Sequence, residues 1–259
     1  MEQHTIQHIE NYVEKETKGL SPVHGFCHLK RTAIGAKWFS QIFGGTKEEQ
    51  DIAYIAGLLH DMKRPDTSTI DHTEISVEAT KSVLHMFSVD STIAEKIVQQ
   101  VSEHRTFHDT PVLYQSVFLS DKLLEQSGAY IIFRRNYHVG ENVDYAHIPF
   151  EEAISKSWTQ RLARFSPEKF AIPVRAFAFY QYKQATRFFS AFQQHTEWAQ
   201  SLAKDFYLFG QDTHAKDLDA LITSYRSSHN DIQELQQEAS DYIHGKKYSA
   251  YESMIHVED

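Results

Sequence analysis

A histidine directly followed by an aspartate, His60-Asp61, closes the apolar run Ile52-Ala53-Tyr54-Ile55-Ala56-Gly57-Leu58-Leu59. An imidazole nitrogen beside a carboxylate oxygen is a pair of metal donors. Neighbouring helical residues point about 100° apart, at ~3.6 residues per turn. The two side chains can therefore converge on one cation only at the helix end, with other helices supplying further donors. His28 and Asp121 are the matching groups, each beside an apolar stripe on a separate predicted helix. Nitrogen and oxygen donors without thiolate suit Mn, Fe, Co, Ni, Zn or Mg. Lys63 and Arg64 follow the central pair closely enough to contact a phosphate, although exposed basic pairs are also common in solvated loops.

These donors need elements to carry them. Ile52, Ile55, Ala56 and Leu59 fall on one stripe and predict a core-facing helix, opened by Thr46 and Glu49 in the capping-box pattern. Ahead of it, a helix is predicted over 6–18. Ser21-Pro22 then predicts the start of a helix that carries His24 and His28 and stops at Gly44-Gly45. Beyond the central pair, Asp71-His72-Thr73-Glu74 opens a helix with Ile75, Ala79, Val83 and Met86 inward. Asp90 caps another, with Ile93, Ile97, Val98 and Val101 inward and His104-Arg105 just past its end. Pro111 starts a helix bearing Val117, Asp121 and Leu124. No stretch alternates with period two, so the expected fold class is all-α.

The character changes after Arg135. Residues 136–149 are polar and include Gly140, and they read as a surface loop or linker. Ser166-Pro167-Glu168 caps a helix that Pro173 restarts or kinks, residues 177–209 are rich in aromatics, and a last amphipathic helix is predicted over 216–244. The expected organisation is a metal-binding helical domain over 1–137. A helical extension over 138–259 is expected to pack on it as a cover or to form a homodimer surface.

Composition narrows the function classes. The chain has 259 residues, is 41% hydrophobic and 24% charged, and carries a formal charge of −9. That charge argues against a generic nucleic-acid surface while leaving room for a local basic pocket. Cys27 is the only cysteine, no apolar run approaches the ~20 residues of a spanning helix, and the first residues do not open a signal peptide. A cytoplasmic protein without a membrane partner is expected.

The ordered motifs resemble the HD phosphohydrolase superfamily. His24-Gly25-Phe26-Cys27-His28-Leu29-Lys30-Arg31 is similar to the branch whose first motif is His-Asp-x-x-His-x-x-Arg, with Gly25 in place of the acidic residue. Leu58-Leu59-His60-Asp61 is similar to the central motif. Ser120-Asp121-Lys122-Leu123-Leu124, followed by Ser127-Gly128-Ala129 and Arg134, is similar to the closing segment, with Ser120 where alanine is usual. The resemblance covers about residues 20–137 and implies an HD-domain-like helical bundle with additional C-terminal helices. It also implies one or two ions: if His72 and His104 join as ligands, the set is His28, His60, Asp61, His72, His104 and Asp121, with Asp61 bridging two ions.

On that resemblance the expected activity is metal-dependent hydrolysis of a phosphomonoester, nucleotide or cyclic phosphodiester. A cation lowers the pKa of bound water from ~15.7 toward ~7, and the hydroxide attacks phosphorus in line. Asp61, Lys63 and Arg64 are the expected catalytic groups, the two cations neutralising charge on the phosphoryl oxygens. His24, Arg31, Arg105 and Lys122 are the expected substrate contacts, and a small nucleotide-like molecule the expected partner. Two rivals keep the motifs: a mixed-valent di-iron oxygenase, and a non-catalytic nucleotide-binding protein.

Overall fold

In the computed structural model, residues 1–63, 72–107, 110–212, 214 and 217–256 are described, with backbone alone at 72 and 73. All regular structure among them is helical, as the absence of alternation predicts. The chain divides into two compact units, Met1–Glu125 and Gln126–Asp259. No helix of the described residues is long and apolar enough to cross a membrane.

The first unit is built around α3 (Lys47–Leu59), in which every residue from Asp51 to Leu59 is buried. A helix buried on all sides is a central helix rather than a one-faced one, which explains why its apolar run is continuous. Thr46 and Glu49 close its start as a full capping box. Around it pack α1 (Gln3–Glu16), α2 (Phe26–Ile42), α4 (His72–Met86) and α5 (Ser91–Glu103). Close approach is possible because small residues meet: a Cβ on Gly57 would lie 2.6 Å from the Ala33 Cα, so α2 and α3 touch backbone to backbone. Similarly, a Cβ on Gly35 would lie 2.3 Å from the Ser120 Oγ. That hydroxyl donates to the Thr32 carbonyl at 2.9 Å and ties α2 to the chain around Asp121.

Two expectations about this unit change. Ser21-Pro22 forms a turn in which Ser21 Oγ accepts from the Val23 N–H at 3.3 Å, and α2 begins only at Phe26. The segment after Pro111 is a 3-10 turn (Val112–Gln115), then α6 (Ser116–Leu119), then a π-helical turn (Ser120–Glu125) carrying Asp121.

The second unit contains α7 (Tyr130–Glu141), α8 (Phe150–Arg164), α9 (Ile172–Gln193) and α10 (Glu197–Gln211), followed by α11 (Leu218–Ser224), α12 (Asn230–Ile243) and α13 (Tyr248–Glu252). Residues 136–141, read from sequence as loop, are helix. Gly140 is there for contact: its Cβ would lie 1.9 Å from the Tyr207 carbonyl oxygen, and a Cβ on Gly210 would lie 2.1 Å from that of Tyr137. Because α7 crosses α10 this closely and packs on α8 and α12, the division falls after Glu125 rather than after residue 137. The predicted last helix over 216–244 is broken into α11 and α12, the break following Ser224. Pro173 sits in the first turn of α9 and restarts the chain as a helix.

Candidate metal centre

Two histidines are presented in the same way. His60 caps the C-terminal end of α3, and its Nδ1 donates to the Gly57 carbonyl at 2.8 Å. His104 caps α5, and its Nδ1 donates to the Val101 carbonyl at 2.6 Å. Carbonyls of a last helical turn lack N–H partners within the helix, so the rings take up groups that would otherwise go unbonded. A carbonyl oxygen only accepts, which places the proton on Nδ1 and leaves the Nε2 lone pair facing outward. His28, on α2, is anchored by a carboxylate instead: its Nδ1 donates to Glu125 Oε2 at 2.8 Å.

The Nε2 edges converge. The ring centroids of His28 and His60 are 5.2 Å apart, and those of His60 and His104 are 5.0 Å apart. His28 Nε2 lies 3.8 Å from Asp121 Oδ1, His104 Nε2 lies 3.6 Å from Asp61 Oδ1, and His60 Nε2 lies 3.9 Å from Asp61 Oδ2. One donor atom from each of His28, His60 and Asp121 falls within 4.8 Å of the others, and all three residues are buried. These separations are too long for hydrogen bonds. They approach the spread of donors that each stand ~2.1 Å from a common ion, which reaches about 4.2 Å across the ion. His60 Nε2 is buried and has no hydrogen-bond partner among the described residues. An unsatisfied buried nitrogen is costly, and a cation would satisfy it. The donor set therefore fits a divalent metal.

The electrostatics agree. Burial pushes the His104 imidazole down to about 4, with His60 adding to the effect, so the ring is neutral as a ligand must be. Burial alone would raise Asp121, but Lys122, whose Nζ is 2.5 Å from Asp121 Oδ2, together with His60 and His28 holds it well below the usual carboxylate range. Glu125 behaves alike: burial opposes ionisation, while the Arg31 guanidinium and His28 keep it charged. Arg31 grips it with two prongs, Nε to Oε1 at 2.6 Å and Nη2 to Oε2 at 3.1 Å.

Thus the side chains of His28, His60, Asp61, His104 and Asp121 lie together. The remaining residues divide. Arg31, expected at the substrate, is buried and turned onto Glu125, since an ionised carboxylate in the core needs a countercharge. Lys122 pairs with Asp121, and Lys63 pairs at the surface with Glu16 at 2.9 Å. Arg105 is exposed. The His24 ring stands edge-on to His28 at 6.5 Å. Arg64 and the His72 side chain lie outside the described residues. Glu125, which supports His28, is the buried carboxylate sequence reading passed over; its signal was a carboxylate four positions after Asp121, inside an apolar stretch.

Residues 25–136 match the family model of the HD domain. Comparison with curated proteins and with solved structures gives no match.

Proposed function

Residues 25–136 are an HD domain, and from that premise we propose that the protein is a metal-dependent phosphohydrolase acting on a phosphomonoester, nucleotide or cyclic phosphodiester. The observation that carries the reading is the shared orientation of His28, His60 and His104. Each ring is tied back through Nδ1, so its Nε2 faces Asp61 and Asp121. A divalent cation held by these groups would supply Lewis acidity toward a phosphoryl oxygen and lower the pKa of water.

The side chains prepare for that chemistry before substrate arrives. Glu125 fixes the His28 tautomer and raises the basicity of the opposite nitrogen, the role carboxylates play behind metal-binding imidazoles. Arg31 keeps Glu125 ionised. Lys122 offsets the Asp121 charge at the edge of the cluster, where it also remains partly exposed to an approaching anion. Lys63, with its flexible stem and its exposed pair with Glu16, is a cation that can turn from Glu16 to a phosphate.

The test is metal reconstitution of the purified protein, one divalent ion at a time, against generic phosphomonoesters, nucleotides and cyclic phosphodiesters. Turnover that needs the metal and disappears in Asp61→Asn supports the proposal. Tight nucleotide binding with no turnover under any ion, or an iron redox signal accompanied by oxygen consumption, would defeat it.

A further inference from the structure

A second feature of the first unit lies apart from the metal donors. Helices α1, α2 and α3 enclose a cleft of about 400 Å³, a size that admits a small organic molecule. Its apolar wall includes Ile6 and Ile34, and its polar end holds Glu10, Lys30, Lys37, Asp51 and Tyr54.

The two acids are already engaged. Glu10 accepts from Lys30 at 2.5 Å and from the Tyr54 hydroxyl at 2.6 Å, and Lys30 also reaches that hydroxyl at 2.5 Å, which closes a three-membered network. Asp51 accepts from Lys47 at 2.5 Å. Lys37 is the remaining cation. It lies 5.8 Å from the Tyr54 ring centroid and makes no ion pair with a carboxylate among the described residues. Burial, then the neighbouring Lys47, disfavour its charged form, and the attraction of Asp51, already shared with Lys47, offsets them only in part. An ammonium placed so, beside a second one and over an aromatic face, can take a further negative charge. An anion would supply it.

We propose that this cleft binds a small organic anion, a carboxylate or phosphate monoester carrying an apolar body, with the headgroup on Lys37 and the body against Ile6 and Ile34. The site is independent of the proposed hydrolysis, because its residues occupy other faces of the helices that present His28 and His60. Lys30, Ile34 and Lys37 recur at helical spacing on α2, while Asp51 and Tyr54 do so on α3.

The experiment titrates the full-length protein, kept in EDTA so that no metal contributes, with benzoate and separately with phenyl phosphate. Amide NMR shifts around Ile34, Lys37 and Asp51 are followed. Lys37→Met is the test variant and Lys81→Met the surface control. Saturable shifts with either probe, weakened at least tenfold by Lys37→Met and unchanged by Lys81→Met, support the site, and the probe that binds identifies the headgroup. As a second readout, the bound probe protects Lys37, and not Lys81, from acetylation by limiting anhydride. Equal affinity in Lys37→Met, or no saturable shift with either probe, overturns the proposal.

Discussion

Both units bring helices unusually close through glycine, yet they use the closeness differently. In the first, Gly57 and Gly35 draw α2 against α3 and the π-helical turn, and what meets is chemistry: His28, His60 and Asp121. In the second, Gly140 and Gly210 let α7 and α10 cross, and what fills the surrounding interior is aromatic, with Phe133 against Phe206 at 5.0 Å and Trp158 against Phe188 at 5.2 Å. Buried polar atoms without a hydrogen-bond partner among the described residues occur in both units, Asn136 Nδ2 and Ser157 Oγ in the second, so the difference is in the chemistry of the groups. In the second unit Trp158 Nε1 donates to Asn136 Oδ1 at 3.0 Å, a local bond that leaves the indole satisfied. In the first, the Nε2 of His60 is a metal-type donor with no hydrogen-bond partner among the described residues. The lesson is that close helix packing is neutral between structure and function. Which one it serves depends on the chemistry of the groups brought together.

That contrast can be broken by substitution. The largest effect is expected for His60→Ala, which removes the central donor: bound metal and turnover are lost while helix content by circular dichroism is retained. Should that variant keep its metal, the first unit is packed for stability like the second. Trp158→Ala is the counterpart. It should destabilise the protein by about 3–5 kcal/mol in denaturant titration, with metal bound per folded molecule unchanged. Glu125→Gln falls between the two kinds of change. Weakening the support behind His28 should reduce metal affinity or activity by about 10- to 100-fold, read by competition with a chelator.

The smallest effect concerns pH in the metal-free protein. His104 is held down to about 4 by burial and His60, whereas an unfolded histidine titrates near ~6.5. Between these values the unfolded chain binds more protons than the folded one. The contribution is therefore complete above about 6.5 and declines as pH falls toward about 4. His138, in the second unit, is lowered by burial too and acts in the same direction. His104→Gln should consequently reduce, without abolishing, the slope of stability between pH 6.5 and 5 in thermal melts. Added metal binds the deprotonated ligands of the folded state and so should steepen the wild-type slope rather than flatten it.

Much of the candidate metal centre could be read from sequence because its candidate donors sit at recognisable ends: His60 and His104 close apolar stripes, and Asp121 follows one. What stayed hidden depends on distance and on helix type. Arg31 and Glu125 are 94 positions apart, and no local pattern pairs them. The π-helical turn that carries Asp121 and Glu125 has no signature in hydrophobic periodicity. Gly140 misled for the opposite reason. In a polar stretch it signals a loop, and only the approach of the Tyr207 carbonyl reveals that a helix crossing demands it.

The bonds from His60 and His104 to carbonyls three residues upstream give the centre a particular vulnerability. Each imidazole is fastened to the closing turn of its own helix, so a frayed turn releases the ring together with its backbone bonds. Chelator-driven metal loss should then keep pace with hydrogen exchange in the final turns of α3 and α5. Ion retention becomes a gauge of how firmly those two helices are wound at their tips.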